Sequence, residues 1–154
     1  MGNIGRRVAE IASVFGMKVV YYSTSGTSHC TDYPSLPLDE LLAVSDIVSI
    51  HAPLNKVTAN LITYEKMKLM KREAYLVNMG RGGIVNEKEL VQALNDGVIA
   101  GAALDVFEKE PISMDHCYIA DLKDPGKLIL SPHIAWASKE ARKLLIEKLA
   151  NNIF

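Results

Sequence analysis

The sequence has little of what several protein classes require. It holds only two cysteines, Cys30 and Cys117, far apart and at no metal-ligand or redox spacing. That argues against a disulfide framework and a cysteine-built metal centre, and points to free structural thiols in a reducing compartment. Neither sign of charge is in excess: 17 basic side chains against 18 acidic ones leave a net charge of −1. Without a basic footprint, nucleic acid and anionic membranes are not expected as partners. No apolar run approaches the length of a membrane span, and the first residues are too charged for a secretory signal. Internal repeats and low-complexity tracts are absent too. What is present is a chain of 154 residues, 49% hydrophobic. Such a chain can bury one ordinary core, so it reads as a single soluble, cytoplasmic domain.

A further lack is local. The chain opens MGNIGRRVAEIASVFG, with Gly2 and Gly5 spaced as the second and third glycines of Gly-x-Gly-x-x-Gly. The first glycine is missing, as is the strand that should lead into the turn. In that motif the second glycine lets the backbone approach a pyrophosphate and the third lets helix and strand pack closely. The helix amino terminus supplies oriented N–H groups. The bland alternative is an ordinary capped helix. The segment KVVYY favours the motif, because it arrives where the next strand of such a unit belongs.

From Ile4 onward apolar residues fall at Val8, Ile11, Ala12 and Phe15, a helical spacing that Gly16 ends. After the strand KVVYY, LDELLAVS predicts a short helix and DIVSIHAP a buried strand. TYEKMKLM and AYLVNMG repeat the pair, and NEKELVQALNDG and VIAGAALDVF repeat it again. LILSP is a last strand and SKEARKLLIEKLANNIF a closing amphipathic helix, while residues 108–127 read as the one long irregular stretch. Such alternation predicts an α/β fold whose parallel sheet is covered on both faces. Ligands of such sheets collect beyond the carboxyl ends of the strands. The residues there are Ser23 and Thr24, then His51, Ala52 and Pro53, then 78–83, then 105–111, and finally 133–138.

These ends carry the chemistry. In YYSTSG, Ser23 stands where an acidic residue usually meets the adenosine ribose. No carboxylate repels a ribose phosphate there and no arginine holds one, so NAD and NADP both stay open; STSGTS also suits a plain polar turn. In NMGRGGIV, Arg81 lies between glycines that leave its guanidinium room to grip a carboxylate in a two-point fork. Glu110 in ALDVFEKEP and His133 in LSPHIAWAS supply a carboxylate and a group that titrates near neutrality. Alone, each is an ordinary loop residue. Together they bracket acid–base chemistry on an acidic substrate.

The stretches GNIGRRVA, SDIVSIHAPLNKVTANLI, AYLVNMGRGGIVNEKELVQAL, IAGAALDVFEKEP and LSPHIAWASKEA, in this order, resemble the nucleotide-binding domain of the D-isomer-specific 2-hydroxyacid dehydrogenases. The resemblance covers essentially the whole chain. It implies a Rossmann-type doubly wound parallel sheet over residues 1–154, lacking its first strand and the separate substrate-binding domain. It also implies hydride transfer between NAD(P)H, with NAD slightly favoured, and a small 2-keto acid to give a D-2-hydroxy acid. Arg81 would hold the substrate, His133 would donate the proton and Glu110 would be its partner. The cofactor would lie along Gly2, Asn3, Ile4, Gly5, Ser23, Thr24, His51, Ala52, Pro53, Thr58, Asn78, Met79, Gly80, Arg81, Asp105, His133 and Ala135, with Asp105 at the nicotinamide end. No metal is implied, and family members commonly pair as homodimers through this domain.

Trp136 resembles the branch of glycerate dehydrogenases and hydroxypyruvate or glyoxylate reductases, though one tryptophan can equally be packing. The missing strand and domain lead to the expectation of a fragment that is a weak catalyst or none on its own. A second reading is a noncatalytic NAD-binding interaction module of the corepressor kind, and a third is a remnant that folds by borrowing a strand from a partner.

Overall fold

In the computed structural model, which describes residues 1–27 and 30–151, the helix α1 (Asn3–Val14) starts at Gly2 and ends at Gly16, whose φ is +81°. There the Gly16 N–H bonds the carbonyl of Ser13 and the Met17 N–H that of Ala12, the paired bonds that satisfy a helix's last carbonyls around a left-handed glycine. Next come α2 (Leu38–Val44), β1 (Ile47–Ile50), α3 (Tyr64–Met67), β2 (Tyr75–Asn78), α4 (Glu87–Asn95) and β3 (Gly101–Leu104). The chain continues through α5 (Cys117–Ala120), a 3-10 turn (Pro125–Lys127), β4 (Leu128–Leu130) and α6 (Lys139–Asn151). Asn86 caps α4 by accepting from the Glu89 N–H at 3.1 Å, and Gly97 closes it as Gly16 closes α1.

The four strands form one parallel sheet in the order β1-β2-β3-β4. Register aligns Val48, Leu76, Ala102 and Leu128 in one row and Ile50, Asn78, Leu104 and Leu130 in another. These rows share a face, because side chains alternate along a strand. That face meets Leu41, Leu42, Met67, Leu90, Leu94 and Tyr118 from α2–α5, which form the core with it.

The expectation of a sheet covered on both faces needs correction. Among the described residues the opposite face is open, with Ile47 50%, Tyr75 53% and Ile129 70% exposed. A short strand such as LIL is apolar at every position, so which of its faces is buried cannot be read from its residues. The helix α6, expected to be amphipathic, likewise carries Leu144, Leu145, Ile146 and Leu149 exposed.

Three further elements differ. Among the described residues KVVYY forms no strand and pairs through the bridge of Tyr21 with Ser35. VIAGAALDVF is a strand only over Gly101–Leu104, its start being taken up by the turn in which the Val98 N–H closes α4 on Ala93. The stretch 108–127 is not wholly irregular: the His116 side chain caps α5 and Asp124 caps the 3-10 turn. No helix among the described residues is long and apolar enough to cross a membrane.

Candidate active site

Since all four strands run parallel, their carboxyl ends meet at one edge, and the segments 51–54, 79–83, 105–111 and 131–136 follow one another there. A cleft of about 570 Å³ lies at this edge, lined by Ile4, His51, Ala52, Pro53, Leu54, Met79, Gly80 and Arg81. Its walls are the first turn of α1 and the loops that leave β1 and β2. The loops interlock tightly: a Cβ added at Gly80 would stand 2.9 Å from the Ala52 carbonyl oxygen. No side chain caps α1 at Gly2 and no acidic residue occupies its first turn. Its amides and positive dipole end therefore suit an anion. A Cβ at Gly2 would meet nothing within 4 Å, so the approach to these amides is unobstructed. The His51 ring accepts or donates through Nε2 with Ser49 Oγ at 2.9 Å, while its buried Nδ1 has no partner among the described residues. Burial lowers the pKa of His51 and favours the neutral ring.

Several expected cofactor residues support the groove from behind. Thr58 is fully buried, and its hydroxyl donates to the Pro53 carbonyl at 2.6 Å while accepting the Asn55 N–H at 2.8 Å. Asn78 is buried too; its amide donates to the Arg81 carbonyl at 3.0 Å and accepts from the Gly80 N–H at 3.0 Å. Both hold backbone that faces the cleft. Ser23 and Thr24 do not line this cleft. Ser23 donates to the Thr27 carbonyl at 2.7 Å in a turn of its own.

Asp105 continues β3 and is 1% exposed. Its Oδ1 accepts from the Ser131 hydroxyl at 2.5 Å and the Ile134 N–H at 2.9 Å, and its Oδ2 from the Ala135 N–H at 2.8 Å. Burial opposes its charge, but these hydrogen bonds outweigh that penalty and hold the carboxyl below the usual range. Asp105 thereby ties the end of β3 to the loop that carries His133. That loop is fixed from the other side by the Trp136 indole N–H, which donates to the His133 carbonyl at 2.7 Å. His133 adopts φ +52°, uncommon for a residue with a side chain, within a loop held by these bonds.

The His133 Nδ1 stands 2.7 Å from Glu110 Oε2, and Glu110 Oε1 accepts the Phe107 N–H at 3.0 Å. With Nδ1 donating to Glu110, Nε2 is left to face a ligand. The bond from His133, then that from Phe107, holds the Glu110 carboxyl below its ordinary pKa. Glu110 and His133 are thus brought together as expected. Arg81 is exposed, with Nη1 donating to the Gly80 carbonyl at 2.9 Å. Sequence reasoning missed Ser131 and the hydrogen-bonding role of Trp136; both lie within three residues of His133, where a small polar and an N–H-bearing residue were the available signal. A second hollow of about 280 Å³, lined by residues such as Lys88, Asn95, Cys117 and Lys123, lies away from this edge against α4 and α5.

A parallel sheet whose carboxyl edge combines an uncapped, glycine-opened helix with a carboxylate–imidazole pair defines a Rossmann-type dinucleotide-binding domain. Residues 1–135 match the family model of the D-isomer specific 2-hydroxyacid dehydrogenase NAD binding domain, and the chain belongs to that family. It is 46% identical over 158 residues to a glyoxylate reductase of Aeropyrum pernix, covering 99% of this chain and 45% of that protein. It superposes with a TM-score of 0.87 and 33% identity on D-lactate dehydrogenase from Aquifex aeolicus complexed with NAD and lactic acid, over 99% of this chain and 50% of that one. An NADPH-dependent glyoxylate/hydroxypyruvate reductase from Sinorhizobium meliloti, in complex with NADP and malonate, gives a TM-score of 0.81 at 31% identity over 92% of this chain and 43% of that one. The chain spans about half the length of these relatives.

Proposed function

We propose that these residues form the cofactor side of an oxidoreductase that reduces a small 2-keto acid, glyoxylate or hydroxypyruvate in the first instance, to a D-2-hydroxy acid. The observation that carries this reading is the His133–Glu110 pair at 2.7 Å, with Nε2 left for substrate. The amides of Asn3, Ile4 and Gly5 would receive the pyrophosphate, with Gly2 allowing its approach. His51, Ala52, Pro53, Met79 and Gly80 would line the dinucleotide, held by Thr58 and Asn78. Asp105 and Ala135 would shape the nicotinamide end. When bound, the reduced nicotinamide supplies the hydride.

Arg81 is the group to orient the substrate, since its fork can leave Gly80 and take a carboxylate by two N–H donors. His133 donates the proton from Nε2 to the oxygen that becomes the hydroxyl. Glu110, ionised at neutral pH, holds the ring through Nδ1 and so orients Nε2 for that step. Ser23 lacks the charge to reject or to hold a ribose phosphate, and we favour NAD over NADP. A homodimer in the cytoplasm completes the proposal.

The test is an exchange: the matching segment of the Aeropyrum pernix glyoxylate reductase is replaced by this chain. The hybrid is expected to oxidise NADH with glyoxylate. His133→Gln in it should lower turnover by about 10²- to 10⁴-fold, the usual contribution of a general acid, with little change in cofactor affinity. A folded, dinucleotide-binding hybrid that leaves glyoxylate unreduced would contradict the activity. Full turnover by the His133→Gln hybrid would contradict the role of His133.

A further inference from the structure

Glu87 and His116 form a second carboxylate–imidazole pair, distinct from Glu110 and His133. Glu87 is the first residue of α4, and its side chain is 12% exposed against 13% for His116. Glu87 Oε2 lies 3.1 Å from His116 Nε2, and Oε1 accepts the Glu108 N–H at 2.8 Å. His116 Nδ1 accepts the Tyr118 N–H at 3.3 Å, capping α5, so the proton of the neutral ring sits on Nε2 and is donated to Glu87. Phe107 and Tyr118 flank the imidazole, with ring centroids 6.2 and 4.9 Å away.

The amide that Glu87 grips belongs to the Phe107–Glu108 peptide. One residue earlier the Phe107 N–H donates to Glu110 Oε1 at 3.0 Å, fixing the partner of His133. From the other side the Arg81 turn rests on the same peptide. A Cβ at Gly82 would lie 1.9 Å from the Phe107 carbonyl oxygen and 2.4 Å from the Glu108 nitrogen, so only glycine permits this contact. The Phe107–Glu108 peptide therefore bears on the Arg81 turn and directly follows the Phe107 N–H that holds Glu110.

We propose that Glu87 and His116 are positioning residues, which clamp the Phe107–Glu108 peptide and thereby set where Arg81 and the Glu110–His133 pair stand. The functional meaning rests on the reductase reading above; the coupling itself does not. A charge-assisted bond to a single amide is stronger than a neutral one, and it acts at the junction of the two loops. His116 adds to it by orienting the carboxylate, in the way a carboxylate orients a histidine in a catalytic pair.

The test uses the free chain with ¹⁵N-labelled imidazoles, reading the His133 Nδ1–H resonance and amide hydrogen exchange. Glu87→Ala should shift or broaden the His133 resonance and speed exchange at Phe107 and Glu108 by about tenfold or more, while amides of β1–β3 keep their shifts. His116→Asn retains an acceptor that can cap α5 but is too short to reach Glu87, and should produce the same changes in smaller measure. Glu87→Asp, which keeps the charge, should restore part of the wild-type signal. An unchanged His133 resonance in either folded variant would overturn the proposal. Should neither variant fold, the wild-type chain decides: slow exchange at Glu108 supports the clamp, and exchange as fast as an exposed loop amide overturns it. If the resonances respond as described and the hybrid enzyme reduces no 2-keto acid, the clamp stands and the reductase reading falls.

Discussion

Replacing Asp105 by asparagine changes one atom in the buried group that joins β3 to the His133 loop. If the remaining oxygen stays at the Oδ1 position, it keeps the bonds from Ser131 and Ile134, now without charge. The new NH2 then faces the Ala135 N–H, an acceptor replaced by a donor at 2.8 Å. A hydrogen bond to a charged group contributes about 1.5–3 kcal/mol, and leaving its donor unpaired adds about 1–3 kcal/mol where water is excluded. Ala135 is itself exposed, so water can reach its N–H and the addition falls at the low end. Relief of the buried carboxylate's desolvation offsets a further part, which leaves a net loss of about 2–3 kcal/mol. Urea unfolding of the chain at neutral pH, followed by circular dichroism, measures this as a lower midpoint at constant slope. A loss below about 0.5 kcal/mol, the scale of an ordinary surface substitution, would refute the view that Asp105 ties these loops together.

Other expectations follow from the same contacts. The carboxyls of Asp105 and Glu110 both have lowered native pKa values. Their stabilisation should be complete above the unfolded values of about 3.9 and 4.3 and disappear as pH falls through the lowered native ones; stability measured from neutral into acid should show that limb, and Asp105→Asn should flatten it. Gly82→Ala drives a Cβ to 1.9 Å from the Phe107 oxygen, which backbone cannot absorb, so a loss of about 3 kcal/mol or more is expected in the same unfolding assay. Gly2→Ala meets nothing within 4 Å and should leave stability within about 0.5 kcal/mol. It should nevertheless weaken dinucleotide binding in calorimetric titration, because only the ligand approaches there. Ser23→Asp should lower NADPH affinity relative to NADH by about tenfold or more, through repulsion of the ribose phosphate.

The alternation of helices and apolar segments was readable because it depends on periodicity, and the strand ends followed from it. Gly16 and Gly97 were readable as helix stops because left-handed closure favours glycine. His133 and Glu110, 23 residues apart, could be grouped because both follow strand ends at one edge of the sheet, and the resemblance added their roles. The allegiance of buried polar groups was beyond the sequence. Thr58, Asn78 and Asp105 stand among residues expected to meet the cofactor, but their side chains bond to backbone or to Ser131. Which partner such a group takes depends on where loops distant in sequence come to lie. The bond of His116 to Glu87 was hidden for the same reason, because 29 residues separate them.

The reductase proposal requires a nicotinamide dinucleotide to lie along the carboxyl edge of the sheet, from the first turn of α1 to the His133 loop. Titration of the ¹⁵N-labelled chain with NADH, followed by amide chemical shifts, tests it most directly. The largest changes should fall at Asn3–Arg6, His51, Ala52, Leu54, Met79–Arg81 and His133–Ala135. Changes confined to the hollow beside Lys88, Asn95 and Lys123, with the α1 turn unmoved at saturation, would contradict it.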